Sequence, residues 1–356
     1  MKKNQYQPKY IQVKEEILEK IRKKIFPDSS FLPAEAELMK IFKVSRNTVR
    51  TAVRSLREDG IVRSSQGRQS RVDANKILAG EQRERIAWLH TEYINEGVYF
   101  EIFKYMTHCA GKKGFAIDYI NMGFESSAGN FIKNIDSYAG TVITGRITKN
   151  RISTELFNAL SMAKNVIAID NVDGLPAKLA IGTDNRKGAG MAVRHLAESG
   201  RKKIAFLGIS PAFYSYKPFE ERLTGYQNAV RKYSLPTDRG LIVISDEVKD
   251  SYCVKPVLER LLKKHPDLDG ICAITDFIAI QTIYTLKDMD FKVPFDISVI
   301  GFDGLSSGEY TSPRLTTIAQ PFGAIADTVV DNIRKKDFPS KPKFVPVRPN
   351  LITRES

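Results

Sequence analysis

The chain has 356 residues, 42% hydrophobic and 27% charged, a globular composition too long for one ordinary domain and pointing to two or three. No apolar run approaches the roughly 20 residues that span a bilayer, and the polar, basic start Met1–Tyr10 leads into no apolar core, so neither an anchor nor a secretory leader is expected. Cys109, Cys253 and Cys272 are scattered and the four histidines lack ligand spacing. That pattern predicts no disulfide framework, no metal and no cofactor, in a protein of the reducing cytoplasm.

The charge is uneven. Residues 1–76 hold 18 basic and 9 acidic side chains, against 37 and 32 in the remaining 280. Such concentration suggests an N-terminal unit that meets a polyanion, nucleic acid first and an anionic membrane second. Ile11, Ile17, Leu18, Ile21 and Ile25 recur at helical spacing and predict a helix over 10–26, ended by Pro27-Asp28. A second helix is expected from Pro33 to Phe42, with Leu38 and Ile41 inward. Ser45 is placed to cap a third, from Arg46 to about Glu58, with Gly60 as the stop. On that helix Val49, Val53 and Leu56 form an inner stripe, while Arg46, Arg50 and Arg54 recur every four residues on another. Arginines so stacked can reach phosphates and guanine edges in a major groove. Ile61 to Val72 suits a small hairpin with Gln66-Gly67 near its tip. A charged stripe alone is often only a solvated face. Three short helices, a capped arginine helix and a basic hairpin together favour double-stranded DNA.

Residues 8–72 resemble the GntR-type winged helix-turn-helix, through Leu32-Pro33-Ala34-Glu35-Ala36-Glu37-Leu38, Val44-Ser45-Arg46-Asn47-Thr48-Val49-Arg50, Leu56 before Asp59-Gly60, and Gln66-Gly67. The resemblance implies that Arg46 and Arg50 contact an operator from the recognition helix and that Gly67 lets the wing enter a minor groove. Asn47, Thr48 and Glu35 are the further DNA-binding candidates. Ala36 stands where the family often has Arg, and Gln69 where it often has a second wing glycine.

From Arg85 short apolar runs alternate with amphipathic stretches: 86–89, 115–117, 140–143, 166–169, 204–207, 241–244, 271–274 and 299–302, with helices such as 186–199, 220–233 and 252–264 between them. This rhythm predicts an α/β fold of parallel sheets covered by helices, and its length predicts two lobes. Polar residues 77–84 read as a linker between a 1–76 DNA-binding domain and an 85–356 body. Ligands of open parallel sheets sit at the C-terminal strand ends. There stand His90, Thr91 and Glu92, then Asp170, Asp184, Ser245-Asp246, Thr275-Asp276 and Asp303, with Arg222 near an aromatic segment of Phe213, Tyr214, Tyr216 and Phe219. Carboxylates, one guanidinium and ring faces suit a polyhydroxylated ligand such as a sugar. The plainer readings are that Asp184, Asp246 and Asp276 cap helices, that the aromatics pack a lobe interface, that Trp88 is core, and that the histidines are structural or superficial.

The body resembles the LacI/GalR effector domain, itself similar to periplasmic sugar-binding proteins. The motifs are Thr183-Asp184-Asn185, Gly200-Arg201-Lys202-Lys203-Ile204-Ala205-Phe206-Leu207-Gly208, Glu221-Arg222 before Gly225-Tyr226, Thr275-Asp276, Val293-Pro294 before Ile297–Asp303, and Pro313 with Leu315-Thr316-Thr317-Ile318. The resemblance implies effector contact by Asp184, Arg222, Asp303 and Gln320, with Asp276 and Thr275 as further candidates. Thr275 departs from a common Asn, and Gly304 from a common Asp. It also implies crossings near 200–203, 316–320 and 336–343, giving lobes of about 85–200 with 320–336 and 203–315 with 343–356. A winged head on such a sensor has an arabinose-repressor-like architecture, which implies a homodimeric, ligand-responsive repressor on a palindromic operator. Rival readings are a sugar- or nucleotide-processing enzyme, which lacks any phosphate-loop, G-x-S-x-G or H-E-x-x-H motif here, a transport-type binding protein, and a DNA-binding protein without an effector.

Overall fold

Val49, Ala52, Val53 and Leu56 line one side of a single helix, and the first part of the chain is assembled on that stripe. The computed structural model describes residues 8–23, 25–63, 70–73, 84–90, 97–122, 125–144, 152–170, 176–209, 216–245 and 254–356. They fall into two units, Met1–Arg83 and Glu84–Ser356.

In the first unit α1 (Lys9–Arg22), α2 (Glu35–Phe42) and α3 (Arg46–Glu58) precede an antiparallel ribbon of β1 (Val62–Arg63) and β2 (Arg71–Val72). Lys43 takes a left-handed conformation, φ 52°, and turns the chain between α2 and α3. Val13, Ile17, Ile21, Leu38, Val49 and Leu56 share one core with Val62 and Val72. Two expected core positions are corrected: Ile25 is 55% exposed and Ile41 44% exposed. The first helix ends at Arg22, so Ile25 falls off its stripe and Phe26 is buried instead, while Val13 fills the inward place nearer the start. The hairpin tip with Gln66 and Gly67, and most of the 77–84 linker, lie outside the described residues.

The second unit opens with β3 (Arg85–His90), α4 (Val98–Lys112), β4 (Ala116–Asn121), α5 (Glu125–Asn134), β5 (Gly140–Thr144), α6 (Thr154–Met162), β6 (Val166–Ile169) and β7 (Leu179–Thr183). Next come α7 (Asn185–Glu198), β8 (Ile204–Ile209), α8 (Lys217–Lys232), β9 (Ile242–Ser245), α9 (Lys255–Lys264), β10 (Gly270–Ala273), α10 (Asp276–Asp288), β11 (Ser298–Asp303) and β12 (Thr316–Ala319). The chain ends with α11 (Phe322–Lys335), β13 (Lys343–Val347) and β14 (Asn350–Ile352). Two six-stranded sheets result, ordered β13-β7-β6-β5-β3-β4 and β14-β12-β11-β10-β8-β9. Every pairing is parallel except β12 with β14. Strand alternation sends Ile86 and Trp88 to a core with α4 and α11, and Ala87 and Leu89 to one with α5 and α6. The second sheet buries Phe206, Ile271, Val299 and Ile300 among its helices.

The expected lobe boundaries need correction. α7 belongs to the second lobe, because Val193 and Leu196 lie in that lobe's core and a Cβ on Gly188 would meet the Phe302 ring at 2.7 Å. β13 belongs to the first lobe, because it pairs in register with β7. The crossings therefore lie between Thr183 and Asn185, between Ala319 and Phe322, and between Val347 and Asn350. Gly200 ends α7 but does not mark a change of lobe, since helix and following strand dock on the same sheet.

Among the described residues no helix is long and apolar enough to cross a membrane. α7 and α8 pack so closely that a Cβ on Gly225 would collide with the Arg186 backbone carbonyl. Gly225→Val is expected to force the helices apart and destabilise the protein by about 1–3 kcal/mol, measured by urea unfolding.

Candidate functional site

On the first unit, Ser45 caps α3 as its spacing suggests. Its hydroxyl oxygen accepts from the Thr48 N–H at 3.3 Å and lies 2.9 Å from the Thr48 hydroxyl. The cap sets the helix start, so Arg46, Asn47, Arg50 and Arg54 stand exposed while Val49 and Val53 are buried. Glu35, on the first turn of α2, accepts from Arg50 Nε through both oxygens at 3.0 Å, and Arg46 Nε lies 3.3 Å from its Oε2. One carboxylate thus holds two exposed guanidiniums side by side. The Thr48 hydroxyl is engaged in the cap, and Gly67 lies outside the described residues. A hollow of about 540 Å³ beside Ser45 and Thr48 is lined by Lys9, Lys40 and Lys43. These three lysines extend the basic face, and being scattered in sequence they show no period that would single them out.

On the second unit, a polar network forms where the strand ends converge. Arg222, 3% exposed, donates from Nε to Asn185 Oδ1 at 2.9 Å and from Nη1 to the Ile274 carbonyl at 2.6 Å, and Nη1 lies 3.2 Å from Asp303 Oδ1. The Phe302 ring lies 3.7 Å from the guanidinium carbon, a close cation–π contact. Gln320 donates from Nε2 to Asp303 Oδ1 at 2.8 Å, and its Oε1 accepts from the Thr183 hydroxyl at 2.7 Å. Asp303 itself has φ 134°, a conformation that L residues rarely adopt and that persists only where its surroundings over-determine it. Gly304 follows at φ 75°, where a Cβ would meet Ala319 at 2.5 Å, so β12 leaves no room for the aspartate common there.

Arg222, Asp303 and Gln320 are thus brought together. The other three candidates stand differently. Asp184 caps α7 by accepting from the Lys187 N–H at 3.0 Å. Thr275, not Asp276, caps α10, its hydroxyl accepting from the Ile278 N–H at 3.3 Å. Asp276 is fully buried beneath the network, accepting from the Leu305 N–H at 2.7 Å and from the Thr317 hydroxyl. Burial is the larger effect, and with the charge of Asp303 it pushes the Asp276 carboxyl up to about 7 against those hydrogen bonds. Burial also raises Asp303, opposed first by the Arg222 charge. The guanidinium, which stays protonated, favours the charged form of Asp303 against that burial.

The first lobe faces this network with polar groups at its own strand ends. His90, at the end of β3, is buried, and its Nδ1 lies 2.7 Å from the Thr144 hydroxyl at the end of β5. These adjacent strands flank the point where the strand order reverses, the usual ligand position in such sheets. Tyr216, where α8 begins, reaches across from the second lobe: its hydroxyl donates to Asp170 Oδ2 at 2.9 Å and lies 3.1 Å from the Tyr99 hydroxyl. Thr183 and Asn185 belong to a motif from which only Asp184 is expected to face a ligand, and Tyr99 belongs to none; their place at a strand end and at helix starts joins them to the network. Among the described residues no group of three or more His, Cys, Asp or Glu side chains converges as a metal site would.

Comparison with known proteins fits this geometry in two segments. Residues 9–72 match the family of bacterial regulatory proteins called gntR, and residues 193–356 match the periplasmic binding protein-like domain. The head is thus similar to the gntR family and the later part of the body to the periplasmic binding protein-like domain. Among curated relatives, the HTH-type transcriptional regulator MalR of Clostridium butyricum is 36% identical over 153 residues, 43% of this chain and 44% of that protein. The arabinose metabolism transcriptional repressor of Halalkalibacterium halodurans is 26% identical over 328 residues, 88% of this chain and 85% of that protein. The chain thus spans less than half of the first relative's length and most of the second's. Its fold is similar to the solved transcriptional regulator CelR–cellobiose complex, with a TM-score of 0.62 and 19% identity over 88% of this chain and 92% of that one.

The raised Asp276 carboxyl carries a prediction. In the folded chain it keeps its proton up to about pH 7, whereas unfolded it loses it near 4. The unfolded state therefore binds fewer protons in that window, and stability falls as pH rises from about 4 to about 7. Asp276→Asn is expected to flatten that slope in urea unfolding measured at several pH values.

Proposed function

We propose that this chain is a ligand-responsive transcriptional repressor of the cytoplasm. It reads double-stranded operator DNA with Arg46, Asn47 and Arg50 and senses a sugar or similarly hydroxylated molecule between the lobes of its body. The observation that carries this reading is the buried Arg222–Asp303–Gln320 network, set where both lobes' strand ends converge, in a chain that also bears a Ser45-capped arginine helix. A guanidinium fork donates to paired hydroxyls, a carboxylate accepts from them, and the Phe219 ring beside Arg222 suits the C–H side of a sugar ring. The names of the relatives support the same direction, since one is an arabinose metabolism repressor and one solved neighbour is a cellobiose complex.

Mechanistically, two protomers present two arginine helices to a palindromic site. Ligand changes the lobe angle because it binds the two lobe arrangements unequally, with a coupling of about 1–3 kcal/mol. The chain acts by binding and carries out no turnover.

The DNA half is tested with a duplex selected from a random pool and fluorescence anisotropy at fixed salt. Arg50→Ala is expected to cost about 1–3 kcal/mol and to relax base preference. A uniform loss on every sequence would make Arg50 a phosphate contact only. The sensor half is tested by thermal shift against sugars, uronic acids and nucleosides. A ligand at 100 times its Kd should add about 2.7 kcal/mol of apparent stability. Gln320→Ala and Asp303→Asn should each abolish the shift while the variants still unfold cooperatively. An undiminished shift in both would place the ligand elsewhere.

A further inference from the structure

Beside the α7–α8 crossing lies a trough of about 320 Å³, a volume at the lower end of small-molecule sites. None of its lining residues belongs to the Arg222–Asp303 network. Its floor is small, Gly190, Gly225 and Ala229, and five exposed cations line it: Arg186, Lys187, Arg194, Lys232 and Arg348. No acidic residue lines it. The nearest ion pairs, Arg186 with Glu221 and Arg194 with Glu198, are both 3.9 Å long, with the arginines 59% and 48% exposed, so they neutralise little of this charge. Five like charges around one hollow repel each other, and an anion seated among them relieves that repulsion. Three of the five are arginines, whose planar forks match phosphate oxygens in pairs.

The trough also sits at a hinge. Arg186 and Lys187 lie in the first turn of α7, directly after the first crossing between lobes. Arg348 lies in the third crossing, between β13 of the first lobe and β14 of the second. The two crossings are tied together, the Asp184 N–H donating to the Val347 carbonyl at 2.9 Å.

We propose that this trough is a second binding site, for a small phosphate-bearing anion, built on the hinge of the sensor and separate from the cleft. An anion held by Arg186 and Arg348 together touches both crossings and biases the lobe angle by its difference in affinity for the two arrangements. This site stands whether or not the cleft binds a sugar.

The test is titration of the full chain with inorganic pyrophosphate at constant ionic strength, read by isothermal calorimetry. Saturable binding is expected, weakened about tenfold or more in Arg194→Glu/Lys232→Glu. A control with the same change of net charge on other helices, Lys263→Glu/Lys287→Glu, should stay within about twofold. Hydrogen exchange locates the site: pyrophosphate should slow the amides of 185–190 and 347–350 in the wild type and not in the trough variant. Equal weakening in both charge-reversed proteins, or no saturable binding, would overturn the proposal. Protection of the same amides by a random DNA duplex and not by pyrophosphate would overturn it too, and would give the trough to DNA backbone phosphates.

Discussion

A guanidinium and a carboxylate removed from water together hold the second unit's site in place. Burying Arg222 and Asp303 carries a desolvation cost that their mutual attraction offsets only when the remaining donors and acceptors are satisfied. Here Asn185, the Ile274 carbonyl, Gln320 and the Phe302 ring do that work. Two of the groups in the chain of bonds stand at the lobe crossings: Thr183 ends the strand before the first, and Gln320 begins the second. The ion pair is therefore continuous with the segments that must bend when the lobes move. A ligand that inserts a hydroxyl between Asp303 and its donors would alter the same bonds that join the crossings.

The two units use arginine in opposite ways. Arg46 and Arg50 are exposed, paired with a single partly buried carboxylate, and free to exchange Glu35 for a polyanion at little cost in solvent. Arg222 is buried and committed to neutral and anionic partners in fixed geometry. Exposure separates a residue suited to salt-dependent association with DNA from one suited to selecting a small ligand. The trough at the hinge lies between these cases, with exposed cations gathered by the close crossing of two helices.

Several strands were legible from composition alone. Apolar runs such as 86–89, 204–207 and 299–302 fall within β3, β8 and β11, because a doubly covered parallel strand must be apolar on both faces. β7, β12, β13 and β14 escaped that rule. β7 carries Gly182 near its end, and β13 is a partly exposed edge strand containing Pro346, so neither reads as a plain apolar run. The helix of Arg46–Glu58 and its serine cap were legible to the residue, since a cap is a local hydrogen bond between neighbours in sequence.

The sequence by itself determined the local features: a capped arginine helix in a basic head, an alternating α/β body, and the carboxylates that follow its strands. These rest on spacing and on short-range hydrogen bonds, which need no distant partner. Tertiary structure alone decided which lobe α7 and β13 join, that Asp276 is buried support and not a cap, and that Tyr216 reaches Asp170 across the lobes. Those outcomes depend on contacts between residues far apart in the chain, such as Thr183 with Gln320 or Gly188 with Phe302, where packing space and desolvation, not neighbouring residues, select the arrangement.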